Sequence, residues 1–281
     1  MPRPERFAYE GAGVGLVGQR WVSDRSRGVV VLLHGGGQTR HSWARTAERL
    51  VAVGWTAITV DARGHGDSDW HPAGDYMLDG FVDDLLALLA TLEETPVLIG
   101  ASLGGITALV AAGENPTSAR GLVLVDVVIQ LEPEGVDRIL EFLTAHRDGF
   151  VSLEDVADAI AAYNPIRRRP QNLDGLMKNV RRHADGRWYW HWDPAFIRIG
   201  DEPQRQVDPD RLRAAAAKLR IPTLLVRGAQ SDVVGDEGMA DMLALVPSAE
   251  SVDIAGAGHM VAGDDNDVFA SRLEAFLDRL V

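Results

Sequence analysis

The chain has 281 residues, of which 46% are hydrophobic and 25% are charged, and it carries a formal net charge of -13 at pH 7. This composition is that of a globular protein and excludes the fibrous and disordered classes. The negative charge argues against binding to nucleic acid or to an anionic membrane surface, and the absence of cysteine excludes disulfides, thiolate metal sites and a cysteine nucleophile.

The chain start lacks an apolar stretch of signal-peptide length, and no apolar run is long enough to span a bilayer. We therefore expect a soluble, cytoplasmic protein.

Strand-like segments recur along the chain. Residues 6–22 alternate in short apolar pieces around glycines, which predicts an antiparallel hairpin at a sheet edge. Six apolar, β-branched runs follow: GVVVLLHG, WTAITVDARG, PVLIGAS, RGLVLVDVV, IPTLLVRGAQ and ESVDIAGAGH. Such runs are typical of buried parallel strands with helices on both faces. The segments 42–53, 81–92 and 106–112 between them have helical spacing, so the predicted fold class is α/β, a mostly parallel sheet flanked by helices.

The alternation of strands and helices breaks between residues 128 and 212. This segment combines long helical stretches with an arginine-rich and tryptophan-rich region, and it contains no convincing strand. We expect a mainly helical cap over 128–212, at the carboxyl ends of the strands, where open α/β sheets bind ligands. The core would then comprise residues 1–127 and 213–281.

One serine stands in a glycine-rich corner of the sequence. Ser102 lies between Gly100 and Gly104, where an apolar run gives way to a helical pattern. It could simply cap the following helix. Alternatively, the G-x-S-x-G spacing predicts a nucleophile on a sharp strand-to-helix turn.

A serine nucleophile needs a base, and the base needs an acid to orient it. His259 follows the last predicted strand and Asp232 follows the strand before it, so the order along the chain is Ser, Asp, His. The sequence favours Asp232 as the acid. Asp126, at the end of LVLVD, is the rival, or it could tie down the chain where the cap begins.

The glycine-rich HGGG, residues 34–37, follows the first long parallel strand. Its backbone can turn an N–H toward the substrate of the serine, and Gly36 is the leading oxyanion donor. The second donor would be the N–H of Leu103, at the helix N-terminus. His34 and His65 are expected to shape loops by hydrogen bonding rather than to transfer protons.

The succession of HGGG, DARGHGDSD, GASLGG, GAQSDVV and GAGH resembles the α/β-hydrolase superfamily over nearly the whole chain outside the insertion. The DARGHGDSD loop is similar to that of the cap-bearing branch, which holds epoxide hydrolases, haloalkane dehalogenases, carbon-carbon bond hydrolases and cofactor-free haloperoxidase-like esterases. HGGG alone would also suggest the esterases that resemble hormone-sensitive lipase, but those carry a GDSAGG elbow. Epoxide hydrolases and dehalogenases use an aspartate where this chain has Ser102, so the resemblance implies acyl transfer.

The resemblance implies a serine hydrolase that cleaves a small-molecule carboxylic ester or lactone with a Ser102, His259 and Asp232 triad and without metal or organic cofactor. A cofactor-free haloperoxidase or perhydrolase, a carbon-carbon bond hydrolase and a non-catalytic ligand receptor on the same fold are the alternatives. In the cap, Trp188, Trp190 and Trp192 could line the substrate pocket or pack in the interior of the cap.

Overall fold

The architecture is a computed structural model that describes residues 3–25, 27–164, 169, 172–197, 207–259 and 267–281. Within these residues the strands are β1 (Glu5–Glu10), β2 (Gly15–Trp21), β3 (Val29–Leu33), β4 (Thr56–Val60), β5 (Val97–Ala101), β6 (Gly121–Val125), β7 (Val180–Arg182), β8 (Trp188–Trp190), β9 (Thr223–Gly228) and β10 (Ala249–Ile254). Eight of them form one sheet in the order β1-β2-β4-β3-β5-β6-β9-β10.

The pairing of these strands confirms the predicted α/β class. The six long apolar runs are β3, β4, β5, β6, β9 and β10, and neighbours among them pair in parallel. The N-terminal hairpin is also present, with β1 antiparallel to β2 and β2 antiparallel to β4 at the sheet edge.

Helices cover both faces of the sheet. The α-helices are α1 (Ala44–Ala52), α2 (Leu78–Leu89), α3 (Leu103–Glu114), α4 (Pro133–Thr144), α5 (Leu153–Tyr163), α6 (Pro209–Lys218), α7 (Asp236–Leu245) and α8 (Asp267–Asp278). Successive strand residues point to opposite faces. Val31 of β3 accordingly packs in the apolar cluster under α2, α3, α6 and α7, whereas Val30 packs in the cluster under α1 and α8. Burial on both faces explains why these strands are apolar without alternation.

The segment between β6 and α6 contains α4, α5, two short 3-10 helices (Asp174–Lys178 and Pro194–Phe196) and the antiparallel pair β7–β8. The strand pair is a departure from the sequence analysis, which expected no strand here. Each strand has only three residues, and aromatic packing stabilises the pair in a third apolar cluster, which this segment shares with Tyr76, Phe81 and Leu103.

After this segment, the chain returns to the sheet through α6, which precedes β9. This helix starts at Pro209, four residues before the predicted limit of 213, and packs closely on α3: a Cβ on Gly113 would lie 2.3 Å from the carbonyl oxygen of Ala215. The division into a core of 1–127 and 213–281 and a cap of 128–212 stays a prediction. Among the helices of the described ranges, none combines the length and the apolar character that crossing a membrane requires.

Candidate active site

Ser102 occupies the turn between β5 and α3 in a strained conformation. Its backbone has φ 47° and ψ -118°, in the left-handed half of conformational space that a residue with a side chain rarely adopts. Its backbone N–H donates to the carbonyl of Val125 at 3.2 Å, which fixes the turn against β6. Although Ser102 is at the N-cap position of α3, its hydroxyl makes no capping hydrogen bond. The helix-cap interpretation therefore does not account for the serine.

Two glycines permit this turn. A Cβ on Gly104 would lie 2.5 Å from the carbonyl oxygen of Leu33, and a Cβ on Gly100 would lie 2.3 Å from the carbonyl oxygen of Gly104. Both distances are well below van der Waals contact, and both are to backbone atoms that cannot rotate away. The G-x-S-x-G spacing is thus required by the close approach of α3 to β3 and β5.

His259 lies beyond the end of β10, and its partner is Asp126. The His259 Nδ1 atom is 2.7 Å from the Asp126 Oδ2 atom, and the Asp126 side chain has no exposed surface. Two further donors hold this carboxylate: the backbone N–H of Gly228 at 3.0 Å and the hydroxyl of Ser231 at 2.6 Å. Because a buried carboxylate is costly unless its lone pairs are bonded, these donors make a charged Asp126 tolerable in the interior.

Asp232 does not contact His259, and the sequence-based preference for it is corrected in this respect. Its Oδ2 atom lies 2.6 Å from Arg138 Nη2 of α4, and its side chain is 30% exposed. The preceding residue, Ser231, faces Asp126 instead. Since β6 and β9 are neighbours in the sheet, the residues after both strands reach the same edge. Asp126 directly follows β6 and is buried against His259, whereas Asp232 lies four residues beyond the end of β9 and pairs with α4.

The HGGG loop lies directly against the nucleophile. A Cβ on Gly35 would be 3.3 Å from the Cβ atom of Ser102. The N–H groups of Gly35 and Gly37 donate to Gln38 Oε1 at 3.2 Å and to His65 Nε2 at 3.1 Å. Between them, the Gly36 N–H donates to no other residue that the structure describes, and the same holds for the N–H of Leu103. These are the two amides that the sequence proposed for an oxyanion hole.

His34 and His65 are buried in the loop framework and act as hydrogen-bonding groups there. His34 donates from Nδ1 to the carbonyl of Gly35 at 2.8 Å and accepts at Nε2 from the N–H of Ala62 at 3.0 Å. His65 Nδ1 donates to the carbonyl of Arg63 at 2.9 Å. Burial lowers the pKa of His34 and lowers that of His65 to about 3, so both rings are neutral near pH 7.

The three tryptophans predicted for the substrate pocket have different surroundings. Trp188 is half-buried, and Arg182 lies over its ring. Trp190 is buried between Phe142 and Phe150, which are 5.3 and 4.9 Å from it between ring centroids, so it is an interior residue of the segment between β6 and α6. Trp192 stacks on Trp190 at 4.8 Å. Of the three, Trp192 lies against the HGGG loop: its ring is 3.4 Å from the position of a Cβ on Gly37.

Phe196 also lies against the HGGG loop, beside the proposed oxyanion donor Gly36, and no sequence pattern predicted it. Its ring is 3.3 Å from the position of a Cβ on Gly36, and it packs edge-on against His65 and Tyr76. Together with Leu103, it gives the HGGG side of the site an apolar wall. The sequence feature that could have indicated Phe196 is its position just after the aromatic run 187–194.

A metal centre has no support in the described part of the chain, where no group of three or more His, Asp or Glu side chains is arranged to hold an ion.

Comparisons with known proteins identify the family of the chain. The family model described as alpha/beta hydrolase fold matches residues 28–265. Esterase Rv0045c of Mycobacterium tuberculosis is 31% identical over 99% of this chain and 90% of its own length. A 3-hydroxybutyrate-oligomer hydrolase of Cupriavidus necator is 28% identical, covering 85% of each chain. The crystal structure of an alpha/beta hydrolase from Novosphingobium aromaticivorans superposes with a TM-score of 0.83 at 28% identity, covering 99% of both chains. The chain belongs to the α/β-hydrolase fold family and is a hydrolase enzyme.

Proposed function

We propose that this enzyme cleaves carboxylic esters or lactones by acyl transfer to water, with Ser102 as nucleophile, His259 as general base and Asp126 as the acid of the triad. The observation that carries the proposal is the 2.7 Å hydrogen bond between His259 and the buried Asp126, at the same sheet edge as the strained turn of Ser102. A base oriented by a buried carboxylate beside an elbow serine is the arrangement that activates a hydroxyl for attack on an acyl carbon.

In the first half of the reaction, Ser102 Oγ bonds to the acyl carbon and its proton passes to His259 Nε2. The oxygen of the acyl group becomes an oxyanion, which the N–H groups of Gly36 and Leu103 stabilise. His259 then gives the proton to the leaving alkoxide, and the carbon-oxygen bond of the ester breaks. Asp126 keeps the proton on Nδ1 and stabilises the imidazolium in between. Water repeats the sequence on the acyl-enzyme and releases the acid.

The acyl and alcohol portions would contact an apolar surface. Phe196, Trp192 and Leu103 surround the HGGG side of the site and are buried. Apolar walls with a few oriented polar groups are typical of small-molecule pockets. Two relatives are named as an esterase and as a 3-hydroxybutyrate-oligomer hydrolase, and these names support hydrolysis over perhydrolysis, carbon-carbon bond cleavage or simple ligand binding. A cytoplasmic location stays a prediction.

Ser102→Ala tests the proposal against a matched serine. With p-nitrophenyl acetate, p-nitrophenyl butyrate and a γ-lactone as substrates, we expect the unmodified enzyme to turn over at least one and Ser102→Ala to lose on the order of 10⁴-fold or more in kcat. Ser248→Ala is the control, because its hydroxyl is exposed and, among the described residues, bonds to the carbonyl of Ile221 alone. Comparable activity in Ser102→Ala and Ser248→Ala would contradict the proposal.

A further inference from the structure

Three consecutive peptide groups of the HGGG loop are each bonded to one histidine. The carbonyl of the 35–36 peptide accepts from His34 Nδ1 at 2.8 Å. The N–H of the 36–37 peptide donates to His65 Nε2 at 3.1 Å, and the carbonyl of the 37–38 peptide lies 3.3 Å from His191 Nε2. Because a peptide group is planar, fixing its carbonyl fixes the direction of its N–H. The first bond sets the direction of the Gly36 N–H, and the other two hold the next two peptides, so that the loop segment carrying this N–H is fixed on both of its sides.

His191 differs from the other two histidines because it comes from the segment between β6 and α6, directly after β8. Its side chain is almost fully buried, with 2% exposure. The N–H of Gly66 donates to its Nδ1 atom at 2.8 Å, so the ring proton is on Nε2 and that atom donates to the carbonyl of Gly37. His191 therefore connects the 61–69 loop to the HGGG loop.

The chain around His191 is itself fixed to the 61–69 loop. The N–H of Asp193 donates to the carbonyl of Gly64 at 2.9 Å. Its carboxylate accepts from the hydroxyl of Tyr76 at 2.6 Å. Two restraints therefore fix the imidazole of His191: the hydrogen bond of its ring to Gly66, and the hydrogen bonds that hold the nearby backbone at Asp193. A group held in this way can position another without moving itself.

We infer that His191 is a positioning residue of the oxyanion hole, so that the cap segment supplies part of the catalytic machinery as well as covering the site. The inference rests on the proposed serine-hydrolase function. The residue touches no reacting atom; it holds the Gly37 carbonyl and so limits movement of the loop segment from which the Gly36 N–H projects.

This role predicts a loss in kcat rather than in substrate affinity. The oxyanion forms only after Ser102 attacks, so a donor turned away from it weakens the transition state and leaves the bound ester nearly unaffected. Removal of one oxyanion donor lowers kcat by about 10²–10³. Since His34 and His65 remain in place, loss of the His191 bond should cost less, about 10- to 100-fold, with KM changed by less than about threefold.

The test uses the full chain and four variants. His191→Phe keeps a ring of similar shape and removes both hydrogen bonds, whereas His191→Gln keeps one acceptor and one donor. His191→Asn retains an acceptor for Gly66 but is too short to reach the Gly37 carbonyl, and it replaces His191→Phe should that variant not fold. His183→Phe is the control, since His183 is exposed in the same hairpin.

Four quantities are measured for each variant: kcat and KM on a p-nitrophenyl ester, the Ki of a trifluoromethyl ketone that forms an oxyanion on the serine, and Tm. We expect His191→Phe to lose kcat and trifluoromethyl ketone affinity by the same factor at near-native Tm, with recovery in His191→Gln and no change in His183→Phe. Unchanged kcat in a folded His191→Phe or His191→Asn, or a loss confined to KM, would overturn the inference. If the unmodified enzyme hydrolysed no ester, the proposed function would fail instead.

Discussion

Replacement of Asp126 by asparagine should nearly abolish turnover without disturbing the fold around it. In the native site, Asp126 Oδ1 accepts from the Gly228 N–H at 3.0 Å, while Oδ2 faces both the Ser231 hydroxyl at 2.6 Å and His259 Nδ1 at 2.7 Å. An asparagine that keeps its carbonyl on Gly228 presents its NH₂ group to His259. The imidazole must then accept at Nδ1 and carry its proton on Nε2.

That tautomer cannot take the proton of Ser102. The corresponding change in serine proteases lowers kcat by about 10⁴, which is about 5.4 kcal/mol of transition-state stabilisation at 1.36 kcal/mol for each factor of ten. We expect the same order here, because Asp126 has no exposed surface and water cannot replace its bond to His259.

Asp232→Asn is the matched control. It removes a pair with Arg138 whose side chains are 30% and 57% exposed, and such surface pairs contribute about 0–1 kcal/mol to folding. Its kcat/KM on p-nitrophenyl butyrate should stay within about twofold of the native value. The Tm of each variant is measured by circular dichroism, and the kinetic comparison is made between variants whose Tm is close to that of the native enzyme. A larger loss in Asp232→Asn than in Asp126→Asn would refute the assignment of the acid.

Three further changes test the structure around the site: a change of pH, a substitution of an elbow glycine and a substitution of a buried tryptophan. Burial lowers the pKa of His65 from 6.5 to about 3, so protonation favours the unfolded chain and Tm should fall between pH 7 and pH 5; a rise would contradict this. Gly104→Ala places a Cβ 2.5 Å from the Leu33 carbonyl oxygen and should lower the urea unfolding free energy by about 1–3 kcal/mol, whereas Gly175→Ala, with open space around it, should change it little. Trp190→Ala should lower the free energy of unfolding by about 3–5 kcal/mol and reduce kcat/KM equally for short and bulky esters. A loss of kcat/KM confined to bulky esters would place this ring in the pocket.

The sheet could be predicted from the sequence because burial on both faces leaves an unmistakable pattern. Val30 and Val31 are adjacent and lie on opposite faces, and both are fully buried. The strand pair β7–β8 was missed because three-residue strands carry no periodicity, and the aromatic contacts that stabilise them are tertiary.

The candidate site could be predicted in part. Ser102, His259 and the HGGG glycines are marked by local motifs at strand ends. The partner of His259 is not, because β6 and β9 are adjacent and bring both Asp126 and the segment with Asp232 to the same edge. Which carboxylate faces His259 then depends on the path of the loop after β9, which has no local signal. The contact of His191 with Gly37 joins residues 154 positions apart and has no local signal.

Labelling with a fluorophosphonate probe, followed by peptide mapping, tests the central claim most directly, because the probe reacts only with a serine that a neighbouring base activates. We expect the phosphonate on the peptide that contains Ser102, and no labelling in Ser102→Ala or after denaturation. Absence of labelling in the native enzyme, under conditions in which a known serine esterase reacts fully, or modification at another serine would contradict Ser102 as the activated nucleophile.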